Sequence, residues 1–83
     1  MSSFEVCDEI GRWVEYRRLA IGLTLSELEA LTGVSRSSLV RMQNGNQAMS
    51  IGNVIAVIQA LGGDIEVKEA SYAISPGAQI GEE

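Results

Sequence analysis

The sequence predicts a mainly α domain of four short helices followed by one C-terminal strand, and three observations carry that expectation. Apolar residues recur at helical spacing in four successive stretches, each closed by a glycine. A hydroxyl-bearing capping residue (Thr24, Ser35 or Ser50) opens three of the four. After the last glycine pair the pattern switches to alternation of polar and apolar residues, the period of a strand. At 83 residues there is room for one compact domain, and a chain this short buries a modest share of its surface, so a second subunit is expected to add stability.

The first stretch, about Phe4 to Ile21, places Val6, Ile10, Trp13, Val14 and Ile21 on one helix face. Glu5, Asp8 and Glu9 suit its N-terminal end, and Arg17 and Arg18 its C-terminal end, as the helix dipole favours. Trp13 on that stripe reads as core or subunit interface. Gly22 stops the helix. Thr24-Leu25-Ser26-Glu27 is a capping box, in which the threonine hydroxyl takes the Glu27 amide while the glutamate reaches back. Leu28 and Leu31 are expected to form the buried side of this second helix, and Gly33 to end it in a turn with positive φ, with Val34 anchoring the turn.

Ser35 is the expected N-cap of the third helix, with Leu39 and Met42 pointing inward and Arg36, Ser37 and Arg41 outward. Asn44-Gly45 stops it, and Ser50 caps the fourth helix, Ile51 to Leu61. That helix has too many apolar positions for one narrow stripe, so Val54, Val57, Ile58 and Leu61 are expected to meet a second subunit as well as their own domain. Gly62-Gly63 ends it, and Asp64 to Ala70 reads as a half-buried strand. A lone strand leaves its backbone groups unpaired, and the economical partner is the same strand of a second copy, antiparallel about a two-fold axis, with Ile65 and Val67 in the interface. The expected division is therefore a domain at 1–70 and a poorly ordered tail at 71–83.

Composition excludes several classes. There is no histidine, a single cysteine and no run near the roughly 18 apolar residues of a membrane span, so a Cys/His zinc site, an internal disulfide and a membrane partner are not expected. Cys7 reads as a small apolar residue. No charged region followed by an apolar core opens the chain, which predicts a cytoplasmic protein. No nucleophile sits beside a base and no phosphate loop occurs, so neither an enzyme nor a cofactor is expected; Asp64, Glu66 and Glu69 look like a solvated strand side rather than metal ligands. The net charge of −5 is unevenly spread: residues 11–50 hold five arginines against three glutamates, and the flanks hold one lysine against eight acids. A positive segment between acidic ends can face phosphates if the ends point elsewhere, with modest affinity for random DNA.

Two capped helices joined by a glycine turn, the second presenting arginines and hydroxyls, suit entry into the major groove of double-stranded DNA. Arg36, Ser37 and Arg41 are the expected base contacts. Thr24, Ser26, Ser35, Ser38 and Asn44, with Arg18, are the expected phosphate contacts. The plain alternative is a helical hairpin with a solvated polar face; the coincidence of turn glycine, paired caps and core spacing weighs against it.

From Ile10 to Leu61 the residues Gly22-Leu23-Thr24, Glu27-Leu28, Gly33-Val34-Ser35, Leu39, Arg41, Asn44-Gly45, Ser50 and Ala60-Leu61-Gly62 together resemble the lambda-repressor-like, Xre/Cro-type helix-turn-helix family. The resemblance implies a homodimer that binds a two-fold operator, usually to repress transcription. Three positions depart from its pattern. Leu25 stands where the family usually has a phosphate-binding glutamine, and Glu29 where it has a small alanine that lets the two helices approach. Gln43 replaces a frequent glutamate that pairs with an arginine of the first helix, leaving Arg18 a neutral partner or a phosphate. These departures imply weakened DNA binding, or a dimerisation module that has lost most of it. The strand-and-tail ending is similar in layout to HipB-type antitoxins, which implies a protein toxin as a further partner.

Overall fold

The computed structural model describes residues 2–68, so the tail expected at 71–83 and the last two residues of the expected strand lie outside the described residues. The described chain is mainly helical, with α1 (Ser3–Ile21), α2 (Leu25–Thr32), α3 (Arg36–Gln43) and α4 (Ile51–Ala60). Helix α1 packs chiefly on α3, while α2 lies against both α3 and α4.

Each helix begins where a side chain takes an orphan amide. Thr24, Ser35 and Ser50 accept from Glu27, Ser38 and Asn53 respectively, and the Thr24/Glu27 box is closed in both directions. Helix α1 starts a residue before the expected position because Ser2 and Glu5 form a second box of the same kind, with Glu5 N donating to Ser2 Oγ at 3.2 Å and Ser2 N donating to Glu5 Oε1 at 2.9 Å. Gly33, at φ 76°, makes the left-handed turn between α2 and α3 that the sequence expects there.

One core unites the helices: Val14, Leu28, Val34, Leu39, Met42, Val54, Val57, Ile58 and Leu61 are buried, with Ile10, Trp13, Leu23, Leu25, Met49 and Ile65 packed around them. Burial of each large member contributes roughly 1.5–3 kcal/mol. Among the described residues no polar or charged side chain is buried.

Several sequence expectations change at this level. Leu31 is 63% exposed, and Leu25, not Leu31, shares the inner side of α2 with Leu28. Leucines at i and i+3 meet the core here on the N-terminal side of Leu28. Val6 and Ile21 are largely exposed because the two ends of the 19-residue α1 overhang the core. In α4, Val57 and Leu61 have no exposed surface, and Val54 and Ile58 almost none, within the single chain. These four fill their own core instead of facing a partner; the apolar surplus of α4 is left at Ile51 and Ile55, on its solvent side.

Residues 64–68 have no assigned regular structure, and among the described residues none of their backbone groups joins a backbone hydrogen bond. Ile65 tucks toward the core, while Val67 is 94% exposed.

Candidate nucleic-acid interface

The α2–turn–α3 unit is positioned by contacts from α1. At Gly11 an added Cβ would lie 2.4 Å from the Met42 carbonyl oxygen and 2.7 Å from that of Gln43, so the C-terminal end of α3 rests directly on the backbone of α1. A glycine inside a helix weakens it by roughly 0.5–1 kcal/mol relative to alanine, and here it admits that close approach. Gly45, at φ 78°, lies similarly against the backbone of Asp8, where a Cβ would sit 3.1 Å from Cα.

Two neighbouring arginines fasten the same framework. Arg18 donates from Nε to Gln43 Oε1 and from Nη1 to the Leu23 carbonyl, both at 2.9 Å, which ties the last turn of α3 to the segment entering α2. Arg17 donates from Nε to the Leu61 carbonyl at 2.9 Å and holds the end of α4. Arg18 is therefore a half-buried brace: Gln43 is the neutral partner that the sequence reading allowed it, and two of its three nitrogens are engaged. Neither Arg17 nor Gly11 stood out in the sequence reading, although a glycine within a helical pattern is itself a sign of close backbone approach.

Arg36, Ser37 and Arg41 lie exposed on α3, as expected for groups that would reach base edges. The arrangement around them is more specific than the sequence indicates. Ser35 Oγ accepts from Ser38 N at 3.2 Å and donates to Ser38 Oγ at 2.9 Å, and Arg41 Nη2 donates to Ser38 Oγ at 3.2 Å. Ser38 thus holds Arg41 within its own turn, while Arg36 has no hydrogen-bond or ion-pair partner among the described residues.

Of the remaining expected phosphate contacts, Ser26 is exposed beside the N-terminus of α2 and Asn44 is exposed at the C-cap of α3. Thr24 Oγ1 accepts from Glu27 N at 3.0 Å, which leaves its hydroxyl hydrogen to donate outward. Leu25 is packed at the core edge, so an apolar contact replaces the polar reach of a glutamine. Glu29 is exposed and does not separate α2 from α3, so it adds a negative charge to this surface.

Among the described residues no group of acidic, cysteine or histidine side chains is arranged to hold a metal ion, and no helix is long and apolar enough to cross a membrane. No curated protein matches the sequence. A helix-turn-helix family profile matches residues 14–68, a span that runs from the middle of α1 through the segment after α4 and includes the Arg17 and Arg18 braces, the caps, the turn and the outward face of α3. With more than half of the chain matched and the turn, caps and outward arginines of α3 in place, the protein belongs to the Xre/lambda-repressor-like helix-turn-helix family of DNA-binding transcription regulators.

Proposed function

We propose that the protein is a sequence-specific repressor that binds a two-fold operator as a homodimer, with α3 in the major groove and no catalytic activity. The observation that carries this reading is the exposed Arg36-Ser37-Arg41 face on a helix fixed by Gly33, Ser35 and the Arg18 brace. Arg36 supplies a bidentate donor for guanine O6 and N7, and Ser37 a hydroxyl for either edge of a base pair. Amides at the starts of α2 and α3, with Thr24 and Ser26, orient the unit on phosphates. The small positive charge of residues 11–50, five arginines against three glutamates, makes each half-site contact weak, and two linked half-sites about one helical turn apart, roughly 34 Å, compensate.

Fluorescence anisotropy with duplexes drawn from the protein's own upstream region tests the reading. The intact protein should prefer one duplex over its scrambled counterpart, and Arg36→Ala should cost on the order of 1–3 kcal/mol and relax choice at one position. Equal affinity for both duplexes would remove sequence-specific regulation.

A second reading, antitoxin activity alongside repression, is supported by the unpaired segment 64–68 that follows α4 in the HipB-like layout. It predicts a protein that co-purifies with the untagged chain and is still captured by a variant lacking Arg36 and Arg41. Loss of capture in that variant would count against separable roles.

A further inference from the structure

We propose that the cleft between α1 and the segment after α4 binds a small organic cation, one positive charge carried on a compact apolar body. The site is separate from the proposed DNA-reading face, because none of its lining residues belongs to α2 or α3.

The walls follow from helix geometry. Val6, Ile10 and Trp13 stand at the i, i+4 and i+7 positions of α1, so they form one stripe along the helix. Ile58 of α4 and Ile65 of the segment after it close the other side. Gly63 brings that segment in close: a Cβ there would lie 2.5 Å from Cη2 of Trp13, so a residue without a side chain lets the backbone rest on the indole edge. The space enclosed is about 630 Å³, within the roughly 300–1,000 Å³ of small-molecule sites.

The charge on the rim has one sign. Glu9 from α1, with Asp64 and Glu66 from the segment, completes the lining, and no basic residue takes part. Among the described residues the one ion pair joins Arg12 to Asp8, so none of these three carboxylates has a cationic partner. Asp64 Oδ1 accepts from the Ile65 amide at 3.0 Å, which leaves its second oxygen outward. A bound cation gains from the carboxylates and from the indole ring, while its apolar body covers the aliphatic walls.

Length and charge decide between occupants. At about 1.5 Å per residue, the stripe from Val6 to Trp13 is about 10 Å long, which suits one small molecule and is short for a docked helix. Residues 69–83 of this chain carry three glutamates and no basic residue, so charge disfavours its own C-terminal end as the occupant. A second copy meeting the cleft about a two-fold axis centred there would set the same three carboxylates against themselves. Charge complementarity is what favours a free cation.

Trp13 is the sole tryptophan and lines the site, so its fluorescence reports occupancy in the full-length protein. Tetraphenylphosphonium and tetraphenylborate share one shape and carry opposite charges. The cation should bind saturably, with a dissociation constant on the order of 10–100 μM, and the anion at least about tenfold more weakly. Equal binding of the two, or no saturable binding of the cation, overturns the site. Glu9→Gln with Glu66→Gln should weaken cation binding at least about fivefold, while Glu15→Gln, at an exposed acid of α1 outside the cleft, should leave it unchanged. Equal losses in the two would reduce the effect to net charge and overturn the proposal. Val6→Lys plants an ammonium group in the cleft from an exposed position, so circular dichroism should be unchanged and cation binding lost; retained binding overturns the location. Cation binding that weakens as the protein self-associates in sedimentation would give the cleft to a second copy and overturn the proposal as well. Arg36→Ala should bind the cation as the intact protein does, so failure of sequence-specific DNA binding and failure of this site are read separately.

Discussion

The α2–turn–α3 hairpin and the segment after α4 solve the same problem, unpaired backbone and apolar groups, in opposite ways. In the hairpin every helix start is capped, the turn glycine has the φ it needs, and Leu28, Val34, Leu39 and Met42 are buried within the chain. In residues 64–68 the backbone has no backbone partner among the described residues and Val67 stands in solvent. The first region is complete within the described chain; the second leaves its backbone without a backbone partner among the described residues. The self-sufficient part is the one that carries the exposed Arg36-Ser37-Arg41 face.

Substitutions that damage the two regions should separate cleanly. Leu39→Ala, in the fully buried centre of the hairpin, should lower unfolding stability by about 3 kcal/mol, whereas Val67→Ala should leave the folded chain nearly unchanged and weaken self-association; urea titrations beside sedimentation would show this, and a large loss of chain stability at Val67 would break the contrast. Arg18→Ala removes both brace contacts and leaves Gln43 unpaired, so a loss of about 1.5 kcal/mol in stability is expected, together with a similar fall in affinity for cognate and scrambled duplexes. A stable Arg18→Ala protein with weaker DNA binding and a shallower salt dependence would instead return Arg18 to the phosphate. Thr24→Ala opens the capping box of α2 and should cost about 1 kcal/mol, seen as a lower melting temperature. The smallest effect is expected at Glu29, an exposed side chain. Glu29→Ala should shift stability by less than about 0.5 kcal/mol and tighten DNA binding at low salt, the gain fading as salt rises.

Legibility in the sequence followed the same division. Caps and turns act over three or four residues, so Thr24 with Glu27, Gly33, Ser35 and Ser50 announce their roles locally, and the structure shows all of them. The outward position of Arg36, Ser37 and Arg41 follows from helical spacing once Leu39 and Met42 are placed inside. Long-range geometry was not legible. Nothing near Gly11 announces that the carbonyls of Met42 and Gln43 will rest on it, and nothing near Arg17 announces the Leu61 carbonyl. The dominant error concerned α4. A helix rich in valine and isoleucine signals burial without saying by what, and Val54, Val57, Ile58 and Leu61 proved to be covered by their own chain. Leu31 failed for a related reason, since spacing fixes a helix face only to within about a turn.

The central claim is that one rigid reading head is presented twice. Selection of bound duplexes from a randomised library by the intact protein tests it most directly. The account predicts an enriched motif of two inverted half-sites about 10 base pairs apart, with enrichment at one position of each half-site lost in Arg36→Ala. An enriched motif with a single half-site, or no enrichment above input, would contradict it.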